Sequence, residues 1–384
     1  MVTINNTTPP DYYATVTILT SVFDDDYYYD DYNNESAATT VTPDANFGYG
    51  MRIIISCILL ASSVLGVCGN SLVILSVVLS RKLRSATYEF IFNLSCADLL
   101  ISLVTPVNVI ALTTTAMNNE WPFADWLCTG TAGVLFLCVG CSLFTLASIS
   151  VERLLVCTRQ VIFYRKFCSG ALIVWIIATW LAPFLLLIMP TFVGVGGLGY
   201  DMMYHSCAAK SDQRNSKIFN RLMMVTVFIL IGLMLLSYTL ISAYVLRRGK
   251  KTIKTFTTSQ ENLMVIQETS FTSEIRDVNV MTDTAAGRDL SARLRRRQFL
   301  LAKHTFYVVF AFLCSVTPYG VCIALPDAQA YVPYAATLLL VNSALNPLIY
   351  TRHHDFRRIF VLILQRRWSD IPKPSRMLER LLGR

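Results

Sequence analysis

Asn93-Leu94-Ser95-Cys96-Ala97-Asp98-Leu99 is the stretch whose reading decides the fold. Its carboxylate, Asp98, stands inside a segment, Phe90–Leu112, that is otherwise apolar enough to cross a membrane. Ionisable or polar side chains at bilayer depth are costly, so they face a protein interior or a water-filled cavity and mark function. Four more polar residues are placed the same way: Ser142 in Leu127–Val156, and Asn342, Ser343 and Asn346 in Tyr331–Tyr350. Five such residues on three segments imply one shared internal site. Outward from them, four further apolar segments follow the same pattern: Ile53–Leu79, Ala171–Pro190, Leu222–Val245 and Phe299–Leu325. Each is about 20 residues or longer, the length with which an α-helix crosses ~30 Å of hydrocarbon. In lipid only helices and closed barrels satisfy their own backbone, and these segments lack the alternation over ~10 residues that barrel strands show. Only 15% of the chain is charged, against about a quarter in soluble domains. The expected fold is an all-α membrane protein, a seven-helix bundle over residues 51–352.

Basic residues set the orientation. Residues 1–51 hold no Lys or Arg but do hold Asp24, Asp25, Asp26, Asp30 and Asp31. Arginines and lysines gather after the first segment (Arg81, Lys82, Arg84), the third (Arg159, Arg165, Lys166), the fifth (Arg247, Arg248, Lys250, Lys251) and the seventh (Arg352, Arg357, Arg358), and before the sixth (Arg293, Arg295, Arg296, Arg297). All fall on one side of a seven-span topology. The positive-inside rule makes that side cytoplasmic and the N-terminus extracellular, as in a multi-pass plasma-membrane protein. The net charge of +8 then reflects topology and anionic inner-leaflet lipid, not a nucleic-acid partner. Met1 is not followed by a basic region and an apolar run, so the first span is expected to act as the signal anchor.

Most of the eleven cysteines lie within spans and read as small packing residues. Cys128, at the outer start of the third span, and Cys207, in the loop before the fifth, face the oxidising exterior, where a disulfide between them is expected. No Cys/His spacing points to a metal. Residues 1–50 read as a disordered acidic tail, with N-glycosylation sequons headed by Asn5, Asn6 and Asn34. Residues 246–298 read as a long cytoplasmic loop rich in Ser and Thr, including Thr252, Thr255, Thr257, Thr258 and Ser259. Residues 353–384 read as a surface helix and cytoplasmic tail. In Asp355–Trp368, Phe356, Ile359, Phe360, Ile363 and Leu364 recur at helical spacing with arginines between, the pattern of an amphipathic helix lying on a membrane.

In order along the chain stand Gly69-Asn70, the Asn93–Leu99 stretch, Trp121-x-Phe123, Cys128, Glu152-Arg153-Leu154, Trp180 with Pro190, Cys207, Pro318 and Asn346-Pro347-Leu348-Ile349-Tyr350. In this set and spacing the chain resembles the rhodopsin-like (class A) G-protein-coupled receptors across all seven spans. The resemblance implies a receptor that converts binding of an extracellular ligand into activation of a heterotrimeric G protein, and not an enzyme. It also implies a sodium site at Asp98, Ser142, Asn342, Ser343 and Asn346. A carboxylate among neutral oxygens suits a small hard cation; a water-filled polar cluster without an ion is the other reading. Glu152 is expected to hold Arg153 in a charge-assisted pair; an interfacial ion pair that only anchors the helix is the other reading. In the family, breaking that pair lets the arginine turn toward Tyr238 and Tyr350 as the sixth helix swings out, which opens a groove for a G-protein helix. Pro318 and Pro347 are expected to loosen their helices.

Four departures matter. Leu154 replaces the usual Tyr, Val316 the usual Trp, and Leu230 the usual fifth-span Pro. No acidic residue precedes Phe299 to bridge Arg153, which motivates an expectation of raised ligand-free signalling; output equal to that of mock-transfected cells would refute it.

The ligand is read from span three. Leu135 stands where amine receptors carry Asp, and with Phe136, Val139 and Tyr319 it implies an apolar pocket. Span seven has no Lys, so a retinal Schiff base is excluded. Gly197–Asp201 with Ser206-Cys207 is similar to the external loop of melatonin receptors, and the fifth span resembles the medium-chain-fatty-acid receptor group. Against this stands Asp24–Tyr32, which resembles the tyrosine-sulfation sites of chemokine receptors and would attract a basic peptide. A small apolar ligand and a basic peptide both stand. Kinase and arrestin partners are expected to act on the third loop. A non-signalling scavenger receptor is the alternative class.

Overall fold

The computed structural model describes residues 48–83, 85–114, 121–166, 169–211, 213, 215–266, 303 and 305–383, with side chains at all of these except 114, 159–166, 169, 248–266 and 326. Among the described residues seven helices are long and apolar enough to cross a membrane. They are α1 (Tyr49–Leu79), α2 (Ala86–Thr114), α3 (Asp125–Lys166), α4 (Ser169–Pro183), α5 (Ser216–Ile266), α6 (Thr305–Ala324) and α7 (Val332–Thr351). After Pro183, α4 continues through a π-helical turn, Phe184–Ile188, into a short helix at Met189–Phe192. Two helices follow α7: α8 (His354–Leu364) and α9 (Arg376–Leu381).

The spans tolerate their many hydroxyls because those groups are satisfied locally. Thr105, Ser150, Ser237 and Ser315 each donate to the carbonyl four residues earlier, the back-bonding open to Ser and Thr in helices. Large apolar side chains such as Ile54, Leu65, Val174, Phe228 and Phe310 point outward, as lipid in place of water requires.

α1 packs on α2 and α7, α2 on α3 and α7, and α3 on α4 and α5. α3 is the central helix: 67% of its most apolar stretch is buried, against 22% for the fourth and fifth spans. Glycines set the closest approaches. A methyl group at Gly69 would stand 2.7 Å from Pro347 Cβ, and one at Gly140 would stand 2.5 Å from Pro183 Cβ. The main apolar cluster, with Phe90, Leu94, Leu146, Met234, Phe312 and Phe356, joins α2, α3, α5, α6 and α8.

The structure departs from the sequence expectation in three places. The all-α bundle carries a β-hairpin, β1 (Leu198–Asp201) paired antiparallel with β2 (Ser206–Ala209). Four residues per strand are too few to leave a strand signal. Second, the segment 246–298 does not begin as loop. α5 runs on to Ile266, because Lys, Arg, Gln and Glu favour helix there and no proline interrupts it. Third, the tail after α8 turns back on the bundle. The sequons at Asn5, Asn6 and Asn34, the Asp24–Tyr32 strip and the stretch before Phe299 lie outside the described residues.

Candidate functional site

The expected residues fall into three layers along the bundle axis. At one end the hairpin lies against α3. Cys207 of β2 is disulfide-bonded to Cys128 of α3, with Cα atoms 5.1 Å apart. Asn108 of α2 accepts from the Cys207 backbone N–H at 2.7 Å. Asp201 closes the turn: Oδ1 accepts from Tyr204 N at 3.1 Å, and Oδ2 from Ser211 N at 2.7 Å. These bonds place Tyr204 over a cavity of about 140 Å³. Leu135, Phe136, Val139 and Tyr319 all line it, together with Met223, Leu230, Val316 and Leu340. Its polar lining is neutral, from Asn108, Tyr204, Ser206, Thr226, Tyr319 and Thr337. No Asp, Glu, Lys or Arg among the described residues lines it. Burial pushes the Tyr204 hydroxyl up to about 12, and the nearby Asp201 carboxylate adds to the rise. Val316 and Leu230, which stand where the family has Trp and Pro, are both buried in the floor of this cavity.

Below the cavity sits Asp98, 1% exposed. Asn346 Nδ2 donates to its Oδ2 at 2.7 Å, Ser142 Oγ reaches its Oδ1 at 3.5 Å, and the Ser343 hydroxyl also bonds the carboxylate. Asn342 is one step removed: its Oδ1 accepts from Ser315 on α6 at 3.5 Å. The Asn346 side-chain oxygen is buried with no hydrogen-bond partner among the described residues. A carboxylate, hydroxyls and an unused amide oxygen in one layer form an oxygen-only donor set that fits a hard monovalent cation. Asn70 braces this layer from α1, donating to Gly66 O and Ser343 O, each at 3.0 Å.

At the other end Arg153 Nε lies 2.8 Å from Glu152 Oε2, and both side chains are 3% exposed. Thr87, on the first turn of α2, donates to Glu152 Oε1 and Oε2 at 3.2 and 3.3 Å. The Tyr238 hydroxyl reaches Thr305 Oγ1 on α6 at 3.4 Å. Tyr350 stacks on Phe356 with ring centroids 5.7 Å apart. The structure thus joins Glu152 with Arg153, while Tyr238 reaches α6 and Tyr350 stacks on α8.

Sequence reasoning missed Thr87 and Asn108, and took Asp201 only as part of a loop resemblance. Their only signal was polarity near a span end or in a loop, which many residues share. Asn93 ties three helices together. It is buried, donates to Thr145 and Thr179 at 2.8 and 3.1 Å, and accepts from Trp180 Nε1 at 2.8 Å.

The sequence profile of the 7 transmembrane receptor (rhodopsin family) matches residues 69–350. The octopamine receptor beta-2R of Chilo suppressalis is 26% identical over 322 residues, covering 79% of this chain and 78% of that protein. The trace amine-associated receptor 8b of Rattus norvegicus is 24% identical over 82% of this chain and 87% of its own. Melatonin receptor type 1B of the same species is 24% identical over 82% and 79%. Squid rhodopsin superposes with a TM-score of 0.65 at 19% identity, over 87% of this chain and 90% of its own; that likeness speaks to the fold alone.

Proposed function

Because the chain belongs to the rhodopsin family of seven-transmembrane receptors, we propose that this G-protein-coupled signalling receptor is switched by a compact, neutral, largely apolar molecule held in the cavity beneath the hairpin. The observation that carries the reading is the lining: aliphatic and aromatic side chains with neutral hydroxyl and amide groups. Relatives named for octopamine and trace amines imply cationic ligands. An ammonium group taken from water without a carboxylate partner is strongly disfavoured, and this lining supplies none. Retinal bound as a Schiff base needs a lysine, and α7 has none. A cavity of about 140 Å³ is close to the space that admits a benzene-sized molecule in an apolar interior.

The distribution of Lys and Arg supports a hairpin end outside the cell and an Arg153 end in the cytoplasm of a plasma-membrane receptor. Asp98, Ser142, Ser343 and Asn346 would hold a sodium ion, with Asn342 one step removed on Ser315. Bound there, the ion would supply positive charge that favours the compact arrangement; ligand binding releases Arg153 from Glu152. Once freed, Arg153 turns toward Tyr238 and Tyr350 and the cytoplasmic groove opens for the G protein. Receptor kinases and arrestin act on Thr252, Thr255, Thr257, Thr258 and Ser259, whose side chains lie outside the described residues. Replacing these with Ala should abolish arrestin recruitment.

The test is a screen of neutral and cationic small molecules with a promiscuous G-protein readout. Neutral hits are expected, and Val139→Trp, which fills the cavity, should cost them about tenfold or more in potency, a loss of ~1.4 kcal/mol. Hits that are amines, or a potency unmoved by the substitution, would overturn the reading. A basic peptide whose action is lost on deleting residues 1–45 would overturn it in favour of the tail.

A further inference from the structure

The segment after α8 is a strap folded against the first loop, and nothing in the ligand or sodium layers explains it. The chain reverses at Arg366 (φ 57°) and again at Lys373 (φ 50°). Non-glycine residues hold such angles where surrounding contacts fix them, and the contacts are present. Arg81 N donates to Lys373 O at 2.8 Å, Ser375 N to Leu79 O at 2.9 Å, and Ser80 Oγ to Pro372 O at 2.7 Å. Ser80 and Pro374 face each other as an antiparallel pair. The end of α1 would otherwise leave its last carbonyls unmatched; the strap satisfies the one at Leu79. Ile371 and Leu378 are 3% and 0% exposed, packed on Leu79 with Leu362 and Ile363 of α8. Ser375 caps α9, accepting from Leu378 N at 3.3 Å. Arg81 pairs with Glu379 at 2.8 Å, but both are well exposed, so the apolar cluster and the backbone bonds carry more of the docking. Residues 351–384 contain no cysteine, so this region offers no thiol for a lipid anchor and is held by the chain itself.

From the strap a short path leads to the arginine switch. The loop it grips is also tied to α8 by Lys82 and Asp355, 2.6 Å apart. Leu83, fully buried, fixes the loop to the main core. α2 starts at Ala86, and Thr87 on its first turn donates to Glu152. We propose that residues 371–381 position Thr87 through the first loop, and so hold the Glu152–Arg153 pair closed in the absence of ligand. The strap residues are positioning residues and touch neither ligand nor arginine. This rests on reading the pair as the coupling switch.

The test uses the full chain in lipid nanodiscs with purified G protein. Ile371→Asp together with Leu378→Asp puts two carboxylates into the docking cluster. Ligand-free nucleotide exchange should rise roughly 2- to 30-fold, the range of coupling changes seen along such paths. Thr87→Val should reproduce the rise, and combining it with the strap substitutions should add little further. The double variant Ser80→Cys, Pro374→Cys checks docking independently of signalling. Mild oxidation should give a cross-linked peptide by mass spectrometry and lower the exchange below that of the unoxidised sample. Glu152→Gln serves as the reference. If it raises exchange while the strap substitutions do not, the strap has no positioning role and the proposal alone fails. If Glu152→Gln itself changes nothing, the switch reading fails and the proposal with it. Absence of the cross-link shows that the strap is not docked and also overturns the proposal.

Discussion

Asn346 donates to Asp98 across 2.7 Å, and the oxygen of the same amide stays buried without a partner among the described residues. An unsatisfied buried acceptor usually costs about 1–3 kcal/mol. Here it lies in the layer of a buried carboxylate, where a cation would use both.

The first prediction follows from that pair. Sodium should raise the thermal midpoint of the solubilised receptor relative to potassium at equal ionic strength. At a concentration a hundredfold above the dissociation constant, linkage gives about 2.7 kcal/mol. Asp98→Asn should remove the difference between the two salts. A midpoint that does not distinguish sodium from potassium in the unsubstituted receptor rules out the ion.

Glu152 and Arg153 are both buried and 2.8 Å apart. Removing one partner of such a pair leaves a buried charge and costs about 3–5 kcal/mol. Glu152→Gln should therefore lower the thermal midpoint and raise ligand-free nucleotide exchange together. Arg153→Ala should lower the midpoint and abolish exchange with or without ligand. An arginine variant that still couples fully would remove this residue from the mechanism.

Two glycines in α3 should respond oppositely to alanine. At Gly140 the new methyl meets Pro183 Cβ at 2.5 Å, and overpacking of this kind costs about 1–3 kcal/mol. At Gly130 a methyl meets nothing within 4 Å, so Gly130→Ala should gain up to about 1 kcal/mol of helix propensity. Thermal unfolding of the two variants in one detergent decides; equal effects would contradict the α3–α4 packing.

Tyr204 makes a statement about pH. Burial and Asp201 raise its hydroxyl to about 12, from about 10 in the unfolded chain. A raised folded value favours the protonated form. Its contribution to stability is complete below about pH 10 and is lost as the pH climbs through about 12. Binding of a neutral ligand should stay flat from about pH 8 to pH 10, where an exposed tyrosine starts to titrate. A loss of binding centred near pH 10 that disappears in Tyr204→Phe would show that the hydroxyl is solvated, contrary to this structure.

The sequence alone determined the seven spans, because a membrane demands about 20 apolar residues per crossing and tolerates few exceptions. The same economy made Asp98, Ser142, Ser343 and Asn346 legible, since polar atoms at that depth must converge. It also made Glu152-Arg153 and the Cys128–Cys207 bond legible, as adjacent charges and as two cysteines expected at the same end of the bundle. Tertiary structure decided what local pattern does not encode. The hairpin depends on Asp201 reaching Ser211, and the grip on Glu152 comes from Thr87, 65 positions earlier in the chain. The turn-back of the tail rests on Leu79 meeting Ile371 and Leu378. Such contacts join residues far apart in sequence whose polarity or apolarity is unremarkable where each stands, so only the packed bundle reveals which of them meet.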